Sequence, residues 1–150
     1  MSSVIVADAS CLIGLDNINR LPILAKLYSE ILIPPAVSME FGNPITFARI
    51  VAPTDKDLVR SLGILLGAGE SEAIALAIEK KVQVILDDKK ARQVAEEMGL
   101  LPIGTVGILL KAKMANHIPS LTEALDDLEK KGFFISASIK QEALRIAAEL

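Results

Sequence analysis

Two hydrophobic periods alternate along the chain, and their alternation predicts its architecture. Short apolar runs rich in β-branched residues occur at 3–7, 30–33, 49–52, 82–86 and 101–103. They are nearly continuous rather than polar at every second position, the pattern of strands covered on both faces by helices. Between them, apolar positions recur with helical spacing around 21–28, from Pro35 through Val37, Met39 and Phe41, across 55–66, from Glu70 through Ile74, Ala77 and Ile78, and over 89–98 and 104–113. Two amphipathic helices, 122–131 and 138–149, follow on either side of GFFIS. The punctuation agrees. A short helical turn after the first strand ends at the turn residues Asp16, Asn17 and Asn19. Pro35 suits a first helical position, Gly42 and Pro44 close that helix, and Gly99 ends another. Strand and helix alternate through residue 113, which predicts a single α/β domain over 1–150: a central, mainly parallel β-sheet flanked by helices on both sides.

One strand ends in a way that packing does not require. In VQVILDDKKAR, residues 82–92, the apolar run stops on Asp87 and Asp88. One Asp there is an ordinary N-cap for the helix that follows. A second is surplus to capping and repels the first. The first strand ends alike, in VIVADAS, with Asp8 at its end and Ser10 two residues on. In open α/β sheets ligands bind beyond the carboxyl ends of the strands. If the two strands are parallel neighbours, Asp8 and Asp88 face one crevice, and paired carboxylates suit a hard divalent cation. Glu70, a helix and a turn before Asp88, is within reach of it. Glu70 and Glu72 also suit the positive end of a helix dipole, and Glu40 also suits a solvated helix face.

Composition narrows the alternatives. The chain has 150 residues, of which 51% are apolar and 3% aromatic, so aliphatic side chains must build the core; their surplus points to a covered patch, either a homodimer face or a partner groove. Cys11 is the single cysteine and His117 the single histidine, which excludes an internal disulfide and disfavours a Cys/His zinc site and Ser/His/Asp catalysis. Cys11 reads as a small buried residue, His117 as surface or structural. No run approaches the ~18 apolar residues of a membrane span, and MSSVIVADAS lacks the pattern of a signal peptide, so a cytoplasmic location is expected. A net charge of −3 weighs only weakly against nucleic-acid binding, because bound cations invert the charge a phosphate meets. GAGE, residues 67–70, is neither a dinucleotide fingerprint nor a P-loop.

Taken in order, VADAS, Glu40, GAGESEAIALA, VILDDKKAR and LPIGTVGILLKAK resemble the PIN-domain family of metal-dependent ribonucleases, and within it the VapC-like toxin branch, over essentially the whole chain. The resemblance implies that Asp8, Glu40, Glu70 and Asp88 are catalytic carboxylates holding one or two Mg²⁺ or Mn²⁺ ions. Asp87 and Ser10 are candidate further ligands, and Glu72 is a rival to its neighbours. Glu70 stands where the family usually has Asp, and Leu86 replaces a usual Thr. A cation-activated water would hydrolyse the phosphodiester with no side-chain nucleophile. RNA is the implied substrate and a cognate antitoxin protein the implied partner. Arg92 would orient a carboxylate, touch a phosphate or form a plain surface ion pair, and Lys80, Lys81, Lys89, Lys90, Lys111 and Lys113 are candidate backbone contacts or simply solvated faces.

Three rivals share parts of this pattern. A phosphoacceptor signalling domain wants paired acids after its first strand, where this chain has one. A D-x-D phosphatase fails because position 10 is Ser. A catalytically inactive PIN scaffold that binds RNA or protein keeps the fold but does not need the acids.

Overall fold

The computed structural model describes residues 3–150; Met1 and Ser2, the first positions of the expected 1–150 domain and of the stretch read for a signal peptide, lie outside the described residues. Five strands, β1 (Val4–Ala7), β2 (Glu30–Ile33), β3 (Ala48–Ile50), β4 (Gln83–Ile85) and β5 (Pro102–Ile103), form one sheet in the order β3-β2-β1-β4-β5. Every neighbouring pair is parallel. Among the described residues the helices are α1 (Ala9–Asn17), α2 (Ile23–Leu27), α3 (Pro35–Phe41), α4 (Lys56–Leu62), α5 (Ala68–Lys80), α6 (Lys89–Glu97), α7 (Thr105–Met114), α8 (Leu121–Lys130) and α9 (Ala137–Ile146). None is long and apolar enough to cross a membrane.

Side chains alternate across the sheet, as strand geometry requires. Ile5, Ala7, Ile31 and Ile85 point to one face, where they pack with α1, α2, α7, α8 and α9. Val6, Leu32, Val84 and Leu86 point to the other, against α4, α5 and α6. Ile5, Ile85 and Leu86 are wholly buried, each contributing roughly 1.5–3 kcal/mol from removal of its apolar surface from water. Strands thus carry near-continuous apolar runs because both faces are covered. Gly107 lets α7 lie directly on β5: a Cβ there would stand 2.7 Å from Ile103 Cγ1.

The strand order has a functional consequence. β2 lies on one side of β1 and β4 on the other, with Ala7 opposite Ile85, so the connections from β1 and into β4 diverge at this point. That is the switch point at which a crevice opens beyond the strand ends.

Several expected boundaries move. The short turn after the first strand is a nine-residue helix that includes Asp16 and Asn17, and the chain turns instead at Asn19, with φ 59°. Asp8 caps the first turn of this helix by accepting the Cys11 N–H at 3.0 Å, and the buried face of Cys11, Leu12 and Leu15 continues it. The third strand is Ala48–Ile50 rather than 49–52, and the helix expected over 55–66 ends at Leu62. The helix expected to start at Glu70 begins at Ala68, placing Glu70 in its first turn. Gly42 ends α3 in the left-handed region, with φ 88°, where glycine carries no Cβ penalty.

Candidate metal centre at the strand ends

The residues that leave β1 and β4 turn immediately into helix caps, and this brings their carboxylates to the switch point. Asp8 caps α1, and Asp88 caps α6 by accepting the Ala91 N–H at 2.9 Å. Asp8, Ser10, Glu40 and Glu70, with Ala9 and the Gly67–Gly69 stretch, line one pocket of about 280 Å³. Glu40 comes from α3 and Glu70 from α5. The two helices meet closely because Gly69 has no side chain: a Cβ there would lie 3.3 Å from Glu40 Oε1. Gly69 lies inside α5, and what it permits there is contact.

Asp87 and Asp88, adjacent in sequence, part company by the same alternation that sorts the core. Asp87 follows Ile85 onto the α7 side; Asp88 follows Leu86 onto the α5 side. Asp87 is half-buried, and Thr105 grips both of its oxygens, the backbone N–H donating to Oδ1 at 2.7 Å and the hydroxyl to Oδ2 at 2.6 Å. Asp88 is exposed. Gly104 leaves room for this arrangement, since a Cβ on it would stand 3.1 Å from both Asp87 Oδ1 and an Arg92 guanidinium nitrogen.

Electrostatics ties the acids together. Asp8 is 4% exposed, and burial, followed by the charge of Asp87, pushes its carboxyl up to about 8; the Cys11 and Asp87 N–H groups and the Glu70 charge act less strongly. Glu70 is raised by burial first, then by Asp88, against a lowering by the Gly67 N–H that exceeds the smaller raising by Glu40. Asp87 is raised by burial despite Thr105, Arg92 and Ser10, all of which lower it. Burial is the first cause of all three shifts; neighbouring acids add to it at Asp8 and Glu70 but not at Asp87. Cys11 is wholly buried beside these acids, and burial, then Asp8 and Asp87, drive its thiol up, so it packs as an inert small residue.

Other candidates fall away from the crevice. Glu72 accepts the Ala36 N–H at 3.1 Å and so caps α3, which begins on a Pro34-Pro35 pair with no side-chain cap of its own. Lys80 and Lys81 sit at the far end of α5, about 15 Å along the helix from Glu70. Lys111 lies over the Tyr28 ring at 4.5 Å and donates to its hydroxyl, and Lys113 pairs with Glu149 at 3.4 Å; both are toward the opposite end of α7 from Thr105. Of the candidate cations, Lys89, Lys90 and Arg92, in the first turn of α6, directly follow its Asp88 cap. Thr105 and Gly104 escaped the sequence reading as site residues, although GTVGILLKAK marks their helix; no local pattern ties Thr105 to Asp87, 18 positions earlier.

The donor set fits a divalent cation in its chemistry: oxygen ligands, mostly carboxylates, around a pocket with room for water, and a buried acid whose charge lacks compensation. The acids stand apart. Among the described residues no three His, Cys, Asp or Glu side chains converge closely enough to hold one ion together.

An all-parallel α/β sheet with carboxylates gathered at its switch point defines the class of protein. A family model described as a PIN domain matches residues 4–149, and the chain belongs to that family. PIN domains are generally metal-dependent nucleases, and membership points to a nuclease-type function. A comparison with curated proteins finds no match.

Proposed function

We propose that the protein is a metal-dependent endoribonuclease, the toxin of a toxin–antitoxin pair, with Asp8, Glu40, Glu70 and Asp88 holding Mg²⁺ or Mn²⁺ and with Asp87 and Ser10 as candidate further ligands. The observation that carries this reading is the buried Asp8 carboxylate, raised to about 8, in a pocket shared with Glu40 and Glu70. A bound divalent cation supplies the Lewis acidity that makes water nucleophilic near neutral pH and offsets charge on the attacked phosphodiester. The chain supplies placement. Asp8 is held by the Cys11 N–H, Asp88 by its cap on α6, and Glu70 is anchored weakly through the Gly67 N–H at 3.4 Å. Lys89, Lys90 and Arg92 meet the RNA phosphates beside the acids. With few aromatics to stack bases, target choice rests on RNA shape.

The antitoxin and the homodimer belong to the same proposal. Met39 and Ile64, 82% and 84% exposed, offer apolar surface that such a partner could cover. The test is cleavage of total cellular RNA by the purified protein with Mn²⁺ or Mg²⁺, against EDTA and Asp88→Asn controls. Discrete metal-dependent fragments absent from both controls support the reading. Intact RNA together with no cation binding by calorimetry favours the inactive scaffold instead.

A further inference from the structure

The surplus aspartate has a holder. Thr105 is wholly buried, opens α7 behind a glycine that offers no capping side chain, and donates both its N–H and its hydroxyl to Asp87, with the Cys11 thiol also against that hydroxyl. Two short hydrogen bonds from one rigid residue leave a carboxylate little freedom to rotate. Capping alone needs one of them: the backbone N–H satisfies the helix terminus, whereas the hydroxyl contact adds nothing to that end. What it adds is orientation, and it does so where Asp87 stands beside Asp8. Space is also reserved for the arrangement, because a Cβ at Gly104 would press on Asp87 Oδ1 and on the Arg92 guanidinium at 3.1 Å each.

We propose that Thr105 is a positioning residue, which holds Asp87 as the carboxylate that joins Asp8 in binding the cation on the α7 side of the crevice, while Asp88 serves the α5 side with Glu70. This rests on the metal reading above. Residues that orient a ligand from behind typically change metal affinity or activity by about 10- to 100-fold when lost, and that is the scale expected here.

The test titrates Mn²⁺ alone into the full chain by calorimetry, with folding checked by circular dichroism. Thr105→Val keeps the shape and the backbone N–H but removes the hydroxyl. It should weaken Mn²⁺ binding by about 10-fold or more, and Thr105→Ser should restore most of it. Gly104→Ala is the second variant: it displaces Asp87 without deleting any hydrogen-bond partner and should weaken binding in the same direction, so the inference stays testable if Thr105→Val fails to fold. In RNA cleavage, the Thr105→Val defect should lie in kcat rather than KM and shrink as Mn²⁺ is raised, which a general loss of structure would not produce. If the wild-type protein binds Mn²⁺ and both variants bind it equally well, Thr105 has no such role and the metal reading stands. If the wild-type protein binds no Mn²⁺, the metal reading falls and this inference falls with it.

Discussion

Among the carboxylates that cap helices from across the fold, Glu149 and Asp87 have surroundings that give them opposite characters. Glu149 accepts the Leu121 and Thr122 N–H groups at 2.8 Å each and the Thr122 hydroxyl at 2.7 Å, at the start of α8, with Lys113 beside it. Those donors, the Thr122 hydroxyl first, hold its carboxyl down at about 2. Asp87 accepts an equally good N–H and hydroxyl pair at the start of α7. It is nonetheless raised, because burial outweighs its donors, and it raises Asp8 in turn. Donor geometry therefore does not distinguish a structural acid from a candidate site acid. Burial does: Glu149 keeps its donors and Lys113 near solvent, whereas Asp87 is buried deeply enough that desolvation overrides Thr105, Arg92 and Ser10.

The largest effect that would break this contrast comes from removing charge at the crevice. Asp8→Asn should lower metal-dependent RNA cleavage by about 100-fold or more, beyond what loss of an orienting group does, and leave the fold intact, since Asn caps a helix as well as Asp. Cleavage assays with melting curves check both parts. An unfolded Asp8→Asn would make Asp8 a structural acid like Glu149.

Next comes pH. The folded-state value of Asp8 is raised from 3.8 to about 8, so the folded protein holds that proton more tightly than the unfolded chain does. This stabilisation is full below about pH 4 and is lost as pH rises toward 8, on the order of a few kcal/mol. Glu149, lowered from 4.5 to about 2, behaves oppositely: its contribution is present above pH 4.5 and is lost as pH falls through 2. Urea melts of the metal-free protein should therefore show stability declining from pH 5 to 8, flattened by Asp8→Asn or by added Mn²⁺. They should show a separate acid-side decline that Glu149→Gln reduces and Asp8→Asn leaves in place, the remainder coming from Glu79 and Glu142, which are also held low. Because Asp8 must give up its proton to bind a cation, Mn²⁺ binding at pH 7 should release protons, visible as a buffer-dependent binding enthalpy.

A smaller effect is expected at Glu149 itself. Glu149→Ala strands three donors at α8 and should cost about 2 kcal/mol in urea melts without changing Mn²⁺ affinity. Smallest of all, Glu72→Gln exchanges one charged cap on α3 for a neutral one, costing about 0.5–1 kcal/mol, with Mn²⁺ affinity within twofold of wild type. A large loss of affinity there would move Glu72 into the metal shell.

How much of this was legible beforehand follows from the range of the forces involved. Apolar period, β-branched runs and the punctuation by Pro35, Gly42 and Gly99 are local, and from them alone follow the order of elements, the parallel α/β sheet and the placement of Asp8, Asp87 and Asp88 at strand ends. The extent of α1 was less legible, since burial of Cys11, Leu12 and Leu15 against the rest of the fold carries the helix into residues that otherwise read as a turn. Other decisions belong to tertiary structure. Asp87 and Asp88 read alike in sequence and separate only because successive side chains face opposite sides of a sheet, with Thr105 waiting 18 positions away on one of them. Glu72 looked like its neighbour Glu70 until α3, 36 positions earlier, claimed it as a cap. Six lysines looked equivalent until helix direction carried four of them away from the acids. Pattern determines which elements form, because period is a property of neighbours along the chain; which charges meet depends on contacts between distant segments, and those exist only once the sheet has closed.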